Sequence, residues 1–222
     1  MDTQKVIIIG GIGNGTVIAQ AIEDARIRYS CNLKVEGYFS DRDPIGSMIE
    51  GFPVLAKTSM EAVARYTQSG FKFIYTVLRI DGQQERVSLF GELGLTDDNL
   101  VSFVHPSAYV APDVIIEPGG IIMPLVMISS RAHLKRGCIA MVGSSIGHNT
   151  ELGELTHVAA QAVVGAYIKT GVGVHIGLNS TIREHIVIGD YATLGMGSVL
   201  TKNIGDKEIW VGNPARYLRM AT

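Results

Sequence analysis

Branched aliphatic residues return at every sixth position between Val110 and Leu200, and this is the strongest pattern in the chain. Of the sixteen positions in the series, only Ala140 and Thr170 hold another type of residue. The residue two positions before each member is small or β-branched, so we expect both positions to point into a core. A period of six fits neither an α-helix nor a plain alternating strand, and it is typical of a solenoid whose coil has three short sides.

Glycine often directly follows the aliphatic residue, as at Gly147, Gly165 and Gly195, and we expect corners with unusual backbone dihedrals at these positions. Three sides give a coil of about eighteen residues, and the repeat predicts about five coils of stacked parallel strands. The register stops after Ile204. We expect the segment Ile209–Arg216 to cap the last coil, whose apolar end and strand edges would otherwise be open.

The residues before the repeat show a different pattern, in which short apolar runs alternate with helical ones. Apolar runs that read as strands are Val6–Ile9, Leu33–Phe39 and Phe71–Leu78, and the helical runs are Thr16–Ala25, Ser59–Gln68 and Gln83–Leu93. The alternation predicts a small open α/β sheet with parallel strands. A serine at the start of the second helix is expected to cap it.

The first strand leads directly into a glycine-rich turn, Gly10–Gly15, which we call the glycine loop, and then into a helix. This order is typical of nucleotide-binding folds. Glycines let the backbone approach a phosphate, and the helix N-terminus offers N–H donors. The residues we select as candidate substrate ligands are Gly11, Gly13, Asn14, Gly15, Ser40 and Asp41. Two alternatives stay open: Thr16 stands where a dinucleotide fingerprint has its last glycine, so the turn could serve packing alone, and Asp41 could simply belong to an Asp-Pro turn.

Composition narrows the partners and the location. The net charge of −2 and the pI near 6.3 leave no basic footprint for nucleic acid. The N-terminal apolar run is too short for a signal peptide or a membrane span, so we expect no membrane span and a cytoplasmic protein. Cys31 and Cys138 are expected to be reduced thiols. With the boundary close to His105, we predict two domains, 1–104 and 105–222.

Histidines are the best candidates for chemistry in the repeat. His148 and His157 fall outside the inward positions, and an imidazole can accept a proton near neutral pH as a general base. The solenoid carbonic anhydrases, which bind zinc, resemble this repeat, but the gaps among His148, His157, His175 and His185 do not match their ligand spacing. We therefore expect no metal.

Several segments occur together in an order found in one acetyltransferase subfamily: the glycine loop, Gly37–Asp41, His105–Ala108, the region of His148 and the ending Gly212–Arg216. In this the chain resembles the hexapeptide-repeat acetyltransferases, in particular the sialic-acid O-acetyltransferases and the N-acetyltransferases of nucleotide-linked aminosugars. The resemblance implies an N-terminal Rossmann-like domain that binds a sugar nucleotide and a left-handed parallel β-helix. It also implies acetyl-CoA as co-substrate and a homotrimer.

The resemblance assigns roles to residues of the repeat. His148 would be the general base, and His157 would lie at the acetyl end of a groove between neighbouring subunits. A backbone N–H near Gly165 or Ala166 could stabilise the oxyanion. The full set of residues implied for binding the co-substrate is His157, Gly165, Ala166, Gly195, Gly197, Lys202 and Arg216, the last two for the phosphates of CoA.

One departure from the family bears on the chemistry. The family usually has an acidic residue directly after the base, whereas this chain has Asn149, with Glu151 and Glu154 as candidate substitutes. An amide orients an imidazole but does not stabilise its charged form, and a hydroxyl acceptor depends more on a strong base than an amine does. The sequence therefore favours N-acetylation of a nucleotide-linked amino-sugar. The alternatives are a sugar O-acetyltransferase and a non-catalytic binding or scaffold solenoid.

Overall fold

The structure is a computed structural model that describes residues 3–78 and 80–221, and it divides into two compact units. The first unit comprises residues up to 78 together with 88–102, and the second comprises 80–87 together with the residues from 103 onward. The short segment 80–87 thus groups with the repeat, although it lies before residues 88–102 of the first unit in the chain. No helix in the described residues is long and apolar enough to cross a membrane.

The first unit is built on a mainly parallel five-stranded sheet. Its elements are β1 (Gln4–Ile9), α1 (Asn14–Tyr29), β2 (Leu33–Phe39), β3 (Met48–Ile49), β4 (Phe52–Ala56), α2 (Met60–Gln68), β5 (Lys72–Tyr75) and α3 (Gln83–Glu92), whose first half lies in the segment grouped with the repeat. The strand order is β3-β4-β2-β1-β5, and only β3 runs antiparallel to its neighbour. In the sheet, β2 therefore lies on one side of β1 and β5 lies on the other.

Local residues explain where these elements begin and end. The hydroxyl of Ser59 accepts a hydrogen bond from the Ala62 N–H at 3.1 Å, which confirms the predicted cap of α2. The sequence reading missed the hairpin formed by β3 and β4. Its turn is made by Glu50 and Gly51, both with positive φ (45° and 91°), a combination typical of tight hairpins.

The second unit is a parallel β-helix of two-residue strands. These strands are β6 (Phe103–Val104), β7 (Tyr109–Val110), β8 (Ile115–Ile116), β9 (Ile121–Ile122), β10 (Met127–Ile128), β11 (His133–Leu134), β12 (Ile139–Ala140), β13 (Ser145–Ile146), β14 (Glu151–Leu152), β15 (His157–Val158), β16 (Val163–Val164), β17 (Lys169–Thr170), β18 (His175–Ile176), β19 (Thr181–Ile182), β20 (Val187–Ile188), β21 (Thr193–Leu194) and β22 (Val199–Leu200). Each strand from β6 to β19 pairs in parallel with the one three strands further on, which confirms the solenoid.

Three faces result from this pairing. Face 1 stacks β7, β10, β13, β16, β19 and β22, and face 2 stacks β8, β11, β14, β17 and β20. Face 3 stacks β6, β9, β12, β15, β18 and β21. It is extended by β23 (Glu208–Val211), parallel to β21, and by β24 (Arg216–Met220), antiparallel to β23. The last two strands therefore cover the end of face 3.

The core confirms the inward register. From Ile122 onward every member of the six-residue series is buried, and so is every residue two positions before a member. Val110 and Ile116, in the first coil, are only half-buried. The apolar interior is therefore the stacked column of these side chains, and its burial is the main favourable term for this unit.

The expectation about the corner glycines was wrong. Positive φ occurs three positions after the aliphatic residue, for example at Asn149, Tyr167 and His185, and not at the glycine directly after it. Glycine is required there for space: a Cβ on Gly147 would lie 2.5 Å from the Gly165 carbonyl carbon in the next coil. Stacked backbones approach one another too closely at this point for any side chain.

Candidate active site

The turn between face 1 and face 2 carries His148 on its surface. The residue follows β13 and Gly147, and its imidazole is exposed. Two side chains contact the ring: Asn149, the next residue, and Tyr167 on the following coil, whose ring lies at 84° to the imidazole with 5.2 Å between centroids. The candidate base is therefore accessible to a ligand and is held in place by protein groups.

The hydrogen bond between His148 and Asn149 selects one tautomer of the neutral imidazole. The Nδ1 atom lies 2.9 Å from the Asn149 Oδ1. An amide oxygen can only accept, so Nδ1 donates this hydrogen bond, and in the neutral imidazole the lone pair is then on Nε2. The exposed nitrogen of the ring is therefore the one that can take a proton from a substrate.

The two glutamates considered as substitutes for a carboxylate at position 149 form ion pairs elsewhere. Glu151 pairs with Lys135 at 2.6 Å on face 2, and the hydrogen bond from that lysine lowers the pKa of the Glu151 carboxyl. Glu154 lies 3.8 Å from the guanidinium of Arg136. Asn149 is therefore the polar group that orients His148 among the described residues.

The coil above His148 offers one backbone donor. The Gly165 N–H donates to Ile182 O at 3.0 Å within the ladder of face 1, so it is already used. The next N–H, on Ala166, has no acceptor among the described residues, although the Ala166 carbonyl accepts from His185. Of the two oxyanion donors suggested by the sequence, the structure therefore leaves Ala166.

His157 lies on a different face from His148 and is nearly inaccessible within one chain. It belongs to β15 on face 3, is 3% exposed, and its ring stacks on that of His175 with 5.1 Å between centroids and 17° between planes. Burial, followed by the charges of His175 and Arg86, lowers the pKa of His157 well below its usual range. Both rings are therefore neutral at physiological pH.

The segment 80–87 covers these two histidines, and its role was not foreseen from the sequence. Arg86 is 2% exposed and donates through Nη2 to the carbonyls of Leu155 and Gly173, at 2.8 Å and 3.0 Å. Gln83 donates to the hydroxyl of Thr193, which follows His175 in the same column of face 3. In the sequence, Gln83 and Arg86 are ordinary polar residues of a helical run and form no motif, so the sequence did not indicate this contact.

The other residues implied for the co-substrate differ in their surroundings. A Cβ on Gly195 would meet Val211 at 2.7 Å, so this glycine is required by the C-terminal strand. Gly197 has a φ of 65° and nothing within 4 Å of a Cβ, so the surface is open there. Lys202 and Arg216 are exposed. The Arg216 guanidinium also donates to the Ala215 carbonyl at 3.0 Å. An open glycine and two exposed cations are compatible with a phosphorylated ligand.

In the first unit, the glycine loop follows β1 at the carboxyl edge of the sheet. Gly13 has a φ of 112° and immediately precedes α1, which begins at Asn14. Gly15 faces Thr76, whose hydroxyl would lie 3.2 Å from a Cβ. Because β1 lies between β2 and β5, the loop sits where the chain changes direction across the sheet, the usual ligand position in such folds.

The residues after β2 contact the same loop. The Ser40 hydroxyl donates to the Asp43 carboxylate at 2.7 Å, and a Cβ on Gly11 would lie 3.2 Å from that hydroxyl. The Asp41 carboxylate accepts instead from the Thr58 N–H at 2.9 Å, so one of its oxygens has a structural role. The acidic group beside the glycine loop is thus Asp43, which we did not select from the sequence, and not Asp41.

The remaining candidates for chemistry are clusters of metal-ligating side chains and the thiols. Among the described residues, no group of three or more histidine, cysteine or acidic side chains is arranged to hold a metal ion. Cys138 is a free thiol in the core of the β-helix, and burial raises its pKa to about 12. A parallel β-helix with an exposed, oriented imidazole beside a free backbone N–H is instead suited to acyl transfer with a general base.

Comparison with known proteins gives the same class. No protein-family model matches the chain. The chain is 27% identical over 212 residues to a GDP-perosamine N-acetyltransferase of Escherichia coli O157:H7, an alignment that covers 96% of this chain and 84% of the relative. The acetyltransferase domain of PglB from Neisseria gonorrhoeae FA1090 superposes with a TM-score of 0.81 at 26% identity, covering 97% of this chain and all of that domain.

The PglB domain has also been solved in complex with acetyl coenzyme A. PerB from Caulobacter crescentus, solved with CoA and GDP-perosamine, shares the fold with a TM-score of 0.82 at 22% identity, and each chain covers 97% of the other. Over nearly its whole length the present chain is therefore similar to known acetyltransferases in sequence and in fold. It is related to GDP-perosamine N-acetyltransferase and to the acetyltransferase domain of PglB.

Proposed function

We propose that this acetyltransferase transfers the acetyl group of acetyl-CoA to the amino group of a nucleotide-linked amino-sugar, with His148 as the general base. The observation that carries the proposal is the hydrogen bond from His148 Nδ1 to Asn149 in an exposed residue, which places the lone pair of the neutral imidazole on Nε2. Two relatives that match nearly the whole of this chain support the substrate class. One is named for GDP-perosamine, and the other was solved with that sugar nucleotide and CoA.

The chemistry follows from these groups. The neutral amine attacks the thioester carbonyl, and a tetrahedral intermediate forms with negative charge on oxygen and positive charge on nitrogen. The Ala166 N–H stabilises the oxygen, and Nε2 of His148 takes the proton from nitrogen. The C–S bond then breaks, CoA leaves as its thiolate, and the acetylated amine remains. No covalent intermediate on the enzyme is needed.

We propose that the first unit binds the nucleotide in the manner of a Rossmann-like domain. Support comes from the position of the glycine loop between β2 and β5, and from the start of α1 directly after Gly13. Phosphate oxygens would accept from N–H groups of Asn14 and Gly15 at the helix N-terminus. Ser40, Asp41 and Asp43 would then face the sugar portions of the substrate.

The trimer and the left-handed coil are part of the same proposal. Outward residues of face 1 carry no charge, and Tyr109, Met127 and Val163 are exposed. On face 2 the corresponding positions include Glu151 and Lys169. An uncharged, partly apolar face beside the His148 turn is suited to packing against a neighbouring subunit, which would complete the co-substrate groove. His157, which the resemblance places in that groove, is buried under the segment 80–87 and is not part of this proposal. Such an enzyme would act in the cytoplasm, where nucleotide sugars and acetyl-CoA are available.

The subunit arrangement has a matched test. Val163 on face 1 and Val187 on face 2 are 46% and 49% exposed in the single chain. Val163→Glu should reduce the mass measured by light scattering from that of three chains to one and abolish activity, whereas Val187→Glu should change neither. A trimer that survives Val163→Glu would mean that face 1 is not the interface.

The activity is tested by release of free CoA thiol from acetyl-CoA with UDP-, dTDP- and GDP-linked 4-amino-sugars, and with sialic acid for comparison. His148→Ala should lower kcat at least about a hundredfold. His133→Ala is the control, because that imidazole bonds to Glu117 on face 2. Turnover with sialic acid alone would establish O-acetylation instead. Tight nucleotide binding without any turnover would leave a binding or scaffold protein.

A further inference from the structure

Three aromatic rings lie in line along the turn that carries the candidate base. The Tyr167 ring is at right angles to His148, and His185 stacks flat on Tyr167 with 4.7 Å between centroids and 6° between planes. All three side chains are exposed within one chain. The row begins at the candidate base and continues along two further coils towards the C-terminal end.

The coil register explains why Tyr167 is rigid. Asn149, Tyr167 and His185 occupy the same position of successive coils, each with a φ near 58°. The Tyr167 N–H donates to the His148 carbonyl at 3.0 Å, and the His185 N–H donates to the Ala166 carbonyl at 3.1 Å. Backbone hydrogen bonds therefore fix the positions of the Cα atoms that carry the rings of Tyr167 and His185, and the stacking contact fixes the planes of the rings.

Two contacts are needed to orient an exposed imidazole. The bond to Asn149 decides which nitrogen carries the proton, but a single hydrogen bond leaves the plane of an exposed ring poorly fixed. The perpendicular contact with Tyr167 supplies the second restraint, in the geometry that aromatic pairs prefer. A base that must meet its proton within about 3 Å gains from such restraint, since small misplacements lower rates strongly.

We infer that Tyr167, supported by His185, is a positioning residue for the general base. This inference rests on the proposed function, because it concerns the orientation of His148 during proton transfer. Aromaticity is what the role requires, and the hydroxyl of Tyr167 has no part in it. The ring acts through His148, so it affects the rate of the chemical step and not the affinity for either substrate.

The test compares Tyr167→Phe, Tyr167→Leu and Tyr167→Ala in the full-length protein. The phenylalanine variant should retain kcat, while the leucine and alanine variants should lose about three- to tenfold, the range expected for one aromatic pair. KM for acetyl-CoA and for the sugar nucleotide should change by less than about twofold. His185→Ala should give a smaller loss of kcat, because it removes only the support behind Tyr167.

A control and a spectroscopic measurement separate positioning from general stability. Tyr191 also has a positive φ, 59°, at a different corner of the coil, so Tyr191→Ala reports what loss of a corner tyrosine does to the fold alone. It should leave kcat unchanged. In ¹⁵N spectra of the imidazoles, Tyr167→Leu should reduce the population of the Nδ1–H form of His148, and Tyr167→Phe should preserve it.

The outcomes distinguish this inference from the proposed function. If His148→Ala retains the native rate, the assignment of the base fails and the role of Tyr167 fails with it. If His148→Ala is inactive but Tyr167→Leu matches Tyr167→Phe in kcat, only the positioning role is overturned. A rise in KM for acetyl-CoA at constant kcat would also overturn it, because Tyr167 would then be a ligand contact.

Discussion

The imidazoles of His157 and His175 stack on each other at 5.1 Å, one coil apart, with 3% and 5% of their surface exposed. The guanidinium of Arg86 is buried with them and bonds to the backbone of the same two coils. Burial, followed by the charge of Arg86, lowers the pKa of His175 to about 4. This cluster makes folding of the β-helix sensitive to acid.

We predict that the free energy of unfolding falls as the pH drops from about 6.5 to about 4. A histidine in the unfolded chain has an ordinary pKa of about 6.5 and binds a proton in this range, whereas His157 and His175 in the folded protein do not. The unfolded state therefore binds more protons, so stability rises with pH and is lost on acidification. Each histidine should contribute about 1.4 kcal/mol per pH unit.

Urea unfolding at several pH values measures this slope, with His175→Gln as the informative variant. Glutamine cannot titrate, so the variant should show a slope smaller by about one proton between pH 4.5 and 6. His185→Gln serves as a control, since its side chain is exposed. An unchanged slope in His175→Gln would mean that the buried pair does not contribute to the acid sensitivity.

A second prediction concerns Asn149. Replacing it by aspartate places a carboxylate against Nδ1 of His148, which favours the protonated imidazole, so the acidic limb of the kcat/KM profile should move up by about 1 pH unit. Asn149→Ala removes the bond and should lower kcat about fivefold. Asn203→Asp is the matched control, because Asn203 occupies the same position of the last coil and bonds to the Val187 N–H. A limb that stays in place in Asn149→Asp would contradict the contact with the base.

The solenoid was predictable from sequence because few structures bury a side chain at every sixth position. The register also identified the inward residues correctly from Ile122 onward. It could not tell which outward positions would be covered. His148 and His157 looked equivalent in the pattern, yet one is exposed at a turn and the other is buried, because Arg86 and Gln83 lie over face 3. Contacts between residues so distant in sequence leave no periodic signal.

The reason for each glycine was equally hidden from the sequence. A glycine after an aliphatic residue suggested an unusual dihedral, whereas the close approach of the next coil is what requires it. Likewise the β3–β4 hairpin was not predicted, since β3 has only two residues and β4 contains Pro53, which is unfavourable inside a sheet. Distances between coils and between short strands are properties of the folded chain.

A third prediction follows from Thr170, one of the two exceptions in the aliphatic series. Its hydroxyl accepts from the Gly153 N–H at 2.8 Å and lies 2.9 Å from the hydroxyl of Thr156, inside the core. Thr170→Val keeps the shape but leaves the Gly153 N–H unsatisfied, at a cost of about 1–3 kcal/mol. Val187→Thr, the reverse exchange at an exposed site on face 2, should change stability by less than about 0.5 kcal/mol. Equal stability of the two variants in urea would show that the buried hydroxyl is dispensable.

The last prediction concerns Gly147, which precedes the candidate base. An added Cβ would lie 2.5 Å from the Gly165 carbonyl carbon and 2.6 Å from the Ala166 nitrogen, and both atoms are backbone. Gly147→Ala must therefore separate two coils, which should cost about 1–3 kcal/mol and displace the proposed oxyanion donor relative to His148. We expect a lower melting temperature together with a loss of kcat. Gly91→Ala, in a helix with nothing within 4 Å of the added atom, should be neutral or stabilising. If Gly147→Ala melted like the native protein and kept its rate, the coil spacing at this turn would not be set by contact between backbones, and Ala166 would not need its present position for the reaction.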